Sequence, residues 1–360
     1  MDEIILKWIT ALTGILTLVV CATLLLLPKV HENAVLAAEQ YQELVYVTEK
    51  EEPETEEILP VVMQIPETIV ETDDDIDAQL KIELPEGIGL DDLIIENDYL
   101  TQTLYVHIPV KIKDYFSEYR VRGTCEHIAA LSYYCSNEEG IIALTLDRVY
   151  EITQDYDEGS LYLDFVSPHD VFDKVIVVDA GHGGRASGAS KNKIDEKNIN
   201  LAIVMELKAL LDECPQNIGV YYTRTDDSNP TLDQRVQLAN KSDADLFISV
   251  HNNATAGNVF SGRHGTEVLY SESDTSELSS KMFADICQSN VAGILNSKDL
   301  GLVPGDRIYI IRTSEVPVAL IEVGYMTNRN ELKLLASEEY QALTAQGIYN
   351  AILEAFEKGY

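Results

Sequence analysis

The chain has no C-x-x-C pair: its five cysteines (Cys21, Cys125, Cys135, Cys214, Cys287) are scattered over 360 residues. That excludes a thiolate zinc cluster and a disulfide-dense scaffold, and leaves one conceivable local bridge, between Cys125 and Cys135. Basic residues are also scarce, 26 Lys+Arg against 61 Asp+Glu, for a net charge of −35. A chain this acidic is a poor partner for nucleic acid, whose binding is dominated by Lys/Arg neutralisation of phosphates. It is equally unsuited to gripping an anionic membrane surface by charge. The 46% apolar share excludes full disorder, and the length suits two domains or one large domain with extensions.

The acid is concentrated. Residues 32–98 hold 21 acidic and two basic residues, more than half of the total excess. Residues 8–28 carry no charge in a run of 21, long enough to cross about 30 Å of hydrocarbon at about 1.5 Å per residue. A cleaved signal peptide would have a shorter apolar region and a basic start; here the start is MDEIILK, although Val35-Leu36-Ala37-Ala38 resembles a cleavage site. The expectation is an uncleaved anchor within residues 1–30, with Lys7 and Lys29 leaving its orientation open. Residues 31–75, rich in Glu, Asp, Thr and Pro, read as an extended acidic linker. Residues 76–170 show short alternating runs at 80–84, 104–108, 141–146 and 161–165, separated by turn residues, which predict a small antiparallel β module. From residue 173 to 360 strand-like and helix-like runs alternate. They predict an α/β domain: a mostly parallel twisted sheet with helices on both faces.

In such folds ligands sit outside the carboxyl ends of the strands. Three predicted strands run into suggestive residues there: 175–179 into Ala-Gly181-His182-Gly183-Gly184, 246–250 into His251-Asn252-Asn253, and 318–321 into Glu322-Val-Gly324. Two of only seven histidines thus fall at strand ends, and neutral imidazole is a common metal ligand. The stretch GHGGRA also satisfies a loose dinucleotide-binding pattern. The polar, loop-like residues 187–198 and the lack of a ribose-binding acid about 20 residues on argue against that reading. A catalytic zinc takes three protein ligands and keeps a position for water, His2Glu being one known set. Glu196, in the first turn of a predicted helix with apolar face Ile199, Ile203, Leu207 and Leu210, is a candidate third ligand; Asp179 and Asp195 are rivals. Arg224 and Arg235 suit either substrate carboxylates or loop carbonyls, and Asn253 is a candidate support for His251.

Six blocks occur in order: Val177-Val-Asp-Ala-Gly-His-Gly-Gly, Glu196-Lys-Asn-Ile-Asn-Leu, Thr223-Arg-Thr-Asp-Asp, Arg235-Val-Gln-Leu-Ala-Asn240, Phe247-Ile-Ser-Val-His-Asn-Asn-Ala, and Pro317-Val-Ala-Leu-Ile-Glu-Val-Gly-Tyr-Met-Thr-Asn328. Residues 173–360 resemble the zinc-dependent N-acetylmuramoyl-L-alanine amidases of the amidase-3 family. The resemblance implies one zinc ion held by His182, Glu196 and His251, a catalytic Glu322, and peptidoglycan as substrate. Two departures are small: Asn-Asn-Ala follows His251 where Ala-Asn-Ala is more usual, and Gly324-Tyr-Met replaces Gly-Phe-Leu/Ile. The β module resembles, more weakly, the AMIN-like modules that precede such amidases. Some family members carry an inserted helix that plugs the zinc; the roughly 30 residues between Ser271 and Leu300 leave room for one ordinary helix, near 276–295. A zinc peptidase or deacylase on another envelope substrate, or a non-catalytic wall-binding protein, are the other readings. An extracytoplasmic, membrane-anchored location follows from anchor and substrate together.

Overall fold

The computed structural model describes residues 70–71, 78–124 and 126–360. The expected anchor (1–30), nearly all of the expected linker (31–75) and Cys125 lie outside the described residues. Among the described residues no helix is long and apolar enough to cross a membrane.

Two sheets build the β module. One has the order Val70–Glu71, Val121–Gly123, Leu80–Glu83, Ser160–Val166, Glu151–Asp157; the other Ile94–Asp98, Thr103–Ile108, Glu139–Leu146, Ile128–Ser136. Period-two alternation sends Leu80, Ile82, Leu161 and Leu163 of the first sheet and Leu104, Val106, Ile142 and Leu144 of the second into one shared core. Glu158 and Gly159, with φ of 47° and 78°, make a two-residue hairpin turn whose positive φ values match the strand twist. One feature differs from expectation. Val70–Glu71, inside the expected linker, pairs with Val121–Gly123, and in parallel. A short edge strand exposes unpaired backbone groups that an extended neighbour can satisfy, so the module is antiparallel except at this edge.

The second sheet system has six strands: β1 (Lys174–Ala180), β2 (Ile218–Tyr222), β3 (Leu246–Asn253), β4 (Thr266–Tyr270), β5 (Asp299–Pro304) and β6 (Val318–Tyr325). Their order is β2-β1-β3-β6-β4-β5. Strands β2, β1, β3 and β6 are parallel; β4 runs antiparallel to β6, and β5 parallel to β4. The sheet is mostly parallel, with a reversed two-strand edge. β5 escapes sequence reading because it is a half-exposed edge strand carrying Gly301 at φ 82°. The helices are α1 (Glu196–Asp212), α2 (Leu232–Lys241), α3 (Ser280–Leu295), α4 (Tyr309–Arg312), α5 (Arg329–Leu335) and α6 (Glu338–Glu357). Buried residues of α1, α3, α5 and α6 share a core with one sheet face, and those of α2 and α4 with the other. The central strands, covered on both faces, are therefore nearly continuous apolar runs. α3 starts four residues after the expected Ser276, because the Asp274 carboxylate accepts N–H groups from Ser276 (3.0 Å) and Ser280 (2.6 Å) and holds the intervening chain in a loop. It buries Phe283, Ala284, Cys287 and Val291 in the core.

The module meets the α2/α4 side. Val149 N–H donates to the Lys241 carbonyl (3.0 Å), Lys241 Nζ donates to Gln102 Oε1 (3.0 Å), and the Glu151 carboxylate accepts the hydroxyls of Tyr99 (2.9 Å) and Tyr221 (2.6 Å). Tyr221 is a buried residue of β2. Glu151→Ala removes two charge-assisted bonds and strands a buried hydroxyl, so denaturant unfolding should show a loss of about 1–3 kcal/mol. Unchanged stability would mean that this contact does not tie module to domain.

Candidate metal centre

As β1 ends, the chain turns sharply with three carbonyls, those of Ala180, Gly181 and His182, directed toward buried cations. Arg224 donates from Nε to Ala180 O (2.7 Å) and from Nη2 to Gly181 O (3.0 Å) and Lys197 O (2.9 Å). Arg235 donates from Nη1 to Ala180 O (2.9 Å) and from Nη2 to His182 O (2.8 Å). Asn200 Nδ2 adds a bond to Gly181 O (3.1 Å). Both arginines are 3% exposed and so are loop-holding groups rather than substrate ligands. They fix His182 at φ 62°, a conformation that costs a side-chain-bearing residue energy and persists only under such constraint.

Glu196 enters from the first turn of α1, directly after the hairpin of Ser190–Lys191 and Ile194–Asp195. Its Oε2 accepts Ala189 N–H (2.8 Å) and its Oε1 accepts Asn252 N–H (3.0 Å). The same Oε1 lies 3.2 Å from His182 Nε2 and 3.1 Å from His251 Nδ1. Burial works against the charge of Glu196, and the two histidines outweigh it, holding the carboxyl well below the usual range. His182, Glu196 and His251 each offer one atom, all within 4.8 Å of one another. Zinc bonds of about 2.0–2.1 Å place two ligands of a tetrahedral site about 3.3 Å apart, so these spacings and this His2Glu donor set fit a single ion. The histidine side chains are 18% exposed against 5% for Glu196, which leaves the solvent side to water and substrate. Glycine is required at two places. A Cβ on Gly181 would lie 2.2 Å from His251 Nε2, and one on Gly188 would lie 2.5 Å from Glu196 Oε2.

Glu322 is the register partner of His251 across β3 and β6, and of Glu267 across β6 and β4. Directly opposed residues share a sheet face, so these three form one row at the rim. Glu322 Oε2 is buried with no hydrogen-bond partner among the described residues. Burial, then the negative charges of Glu196 and Glu267, push its carboxyl well above the usual range. Glu267 accepts Asn253 Nδ2 (2.6 Å) and the Tyr325 hydroxyl (3.1 Å). Asn253 therefore braces Glu267 and not His251, while Asn252 supports Glu196 through its N–H. Neither Glu267 nor Asn252 stands out in sequence; the only signal is their position beside β-strand ends.

The rival carboxylates are engaged elsewhere. Asp195 accepts the Ser190 hydroxyl at 2.5 Å. Asp179 accepts Arg235 Nη1 (2.6 Å), Thr223 Oγ1 (2.6 Å) and Ser249 Oγ (2.5 Å). Burial works to raise Asp179, but Arg235 and the two hydroxyls prevail and lower it to about 2. A folded-state value below the unfolded one stabilises the fold above about pH 4, and the contribution is lost as pH falls toward 2; it amounts to about 2 kcal/mol. Comparing Asp179→Asn with the parent by urea unfolding should show a stability gap that narrows across that window. A gap independent of pH would contradict the assignment.

The family model described as N-acetylmuramoyl-L-alanine amidase matches residues 176–354. The chain is 37% identical over 179 residues to protein YqiI of Bacillus subtilis, spanning 50% of this chain and 83% of that one. It is 33% identical over 201 residues to the germination-specific N-acetylmuramoyl-L-alanine amidase of Bacillus subtilis, spanning 52% and 81%. Among solved structures, the catalytic domain of the amidase CwlV from Bacillus (Paenibacillus) polymyxa var. colistinus is 36% identical, covering 51% of this chain and 98% of its own, with a TM-score of 0.47. With relatives this similar over most of their own length, the chain belongs to the amidase-3 family of N-acetylmuramoyl-L-alanine amidases.

Proposed function

We propose that the chain hydrolyses the amide between the lactyl group of N-acetylmuramic acid and L-alanine of the peptidoglycan stem peptide, using one zinc ion held by His182, Glu196 and His251. The observation that carries the zinc reading is the convergence of two histidine nitrogens on Glu196 Oε1 at 3.2 and 3.1 Å. When bound there, zinc supplies polarisation of the scissile carbonyl and lowers the pKa of a water to about 7. Glu322 takes the proton of the attacking water at its unpartnered Oε2 and delivers it to the departing alanine nitrogen. His182, Glu196 and His251 already make a three-ligand set, so Glu322 serves the water and not the metal. Arg224, Arg235 and Asn200 keep the His182 loop rigid. Digests of purified peptidoglycan should yield intact stem peptides beginning with a free alanine amine, plus unsubstituted glycan strands. Cleavage within the peptide or the glycan would refute the reading.

Location is part of the proposal. Peptidoglycan lies outside the membrane, so the chain acts extracytoplasmically, held by the apolar segment 8–28 and spaced by the acidic linker, with the β module as a wall-targeting, AMIN-like unit.

Glu322→Gln keeps the shape and removes the base. It should retain zinc and lose about 10⁴-fold or more in rate, since one group serves two proton transfers that typically contribute about 10²–10⁴-fold. His182→Ala or His251→Ala should lose the metal itself. Zinc stoichiometry and hydrolysis rate on the same preparations check this: a metal-free Glu322→Gln protein, or a loaded and fully active one, reassigns the residue. For the anchor, cell fractionation should place the full-length protein with the membrane. A soluble form whose amino terminus begins near Ala38 would show a cleaved signal instead.

A further inference from the structure

Arg224 and Arg235 are buried, each 3% exposed, so a substrate carboxylate must meet other cations. Those cations are on the rim of the candidate site. The rim has three segments, each continuous with an element that carries a site residue. Residues 182–195 begin at His182 and run into Glu196. Residues 254–265 leave β3 after His251 and return to β4, whose Glu267 faces Glu322. Residues 326–330 follow β6.

The three segments are bonded into one surface. Lys191 Nζ donates to the Asn258 carbonyl, and Asn258 Nδ2 to Ser190 O (3.3 Å). Ser261 N–H donates to Thr327 O (2.8 Å), and Asn328 Nδ2 to Arg263 O (3.2 Å). Two cations lie against Phe260, with Lys191 Nζ 5.4 Å and Arg329 Cζ 4.0 Å from its ring centroid. Arg263 lies 5.1 Å over the Tyr325 ring and 3.5 Å from Glu267.

The charge of this surface is the reverse of the chain's. The three segments carry five Lys/Arg (Arg185, Lys191, Lys193, Arg263, Arg329) and one acid, Asp195, against 26 and 61 for the whole sequence. Arg185, Lys193 and Arg329 are exposed. None of these three forms an ion pair among the described residues. Cations held by stacking are already oriented and lose little further freedom on binding. A local concentration of one sign attracts the opposite charge.

We propose that this rim is a binding subsite for the anionic peptide arm of the substrate: a stem peptide whose residue next to the alanine carries a free carboxylate. The inference rests on the amidase reading and adds the substrate class to it. Lys191 and Arg329, both held against Phe260, are the specificity-determining pair.

The test uses the full-length protein and two muramoyl-peptides that differ in one group, the second residue bearing either a free carboxylate or its carboxamide. Both kcat/KM and equilibrium binding are measured for each. The free acid should be preferred by about five-fold or more, expressed in KM rather than kcat, and the preference should shrink as salt rises. Lys191→Gln with Arg329→Gln should reduce the ratio to about one. Arg329→Lys alone, which keeps the charge, should hold most of it. Equal handling of the two substrates by the parent protein, or a ratio unmoved by the double substitution, overturns the inference. If neither peptide is hydrolysed, the amidase reading fails. Binding then decides the rim separately: a preference for the acid that the double variant loses supports it, and indifferent binding sinks it.

Discussion

Three consecutive inward-turned carbonyls, of Ala180, Gly181 and His182, are the constraint on which the site depends. Buried carbonyls without donors cost roughly 1–3 kcal/mol each. Arg224 and Arg235 satisfy them, and Arg235 is in turn paired with Asp179 at 2.6 Å. That buried pair is itself acceptable only because the Thr223 and Ser249 hydroxyls fill the carboxylate's remaining positions. The result is a stiff strand-to-loop exit that holds His182 at positive φ, with Gly181 leaving space for the His251 ring behind it. The polar core under the site is thus a device for positioning one imidazole.

Much of this was legible in the residues. The continuous apolar runs of β1, β3 and β6 give a parallel sheet, and the sheet gives an edge where His182, His251 and Glu322 fall together. The i, i+4 stripe of Ile199, Ile203 and Leu207 gives α1. What periodicity does not reach is where chain segments leave regular structure. Asp274 shifts the start of α3 by a contact six residues away, and Ile128–Ser136 and Glu151–Asp157 lack clean alternation because both are edge strands with one poorly covered face. The choice among Asp179, Asp195 and Glu196 could not be made from spacing, since all three lie near the same loop. It is a question of which carboxylate another donor has already engaged. Glu267 was invisible for a related reason: it gains meaning only through its register with Glu322 on a strand that runs the opposite way.

Charge ties the parts together. The linker and module are strongly acidic, whereas the rim of the candidate site gathers cations, with Lys191 and Arg329 both against Phe260. The β module meets the opposite, α2/α4 side of the sheet through Glu151, Gln102 and Val149.

The central claim is a division of labour, with three residues on the metal and Glu322 on the water. Diffraction from crystals of the zinc-loaded protein, with anomalous data at the zinc edge, tests it most directly. The account predicts one peak bonded to His182 Nε2, His251 Nδ1 and Glu196 Oε1, with Glu322 outside the coordination sphere. A peak elsewhere, no peak after zinc loading, or Glu322 as a fourth protein ligand would contradict it.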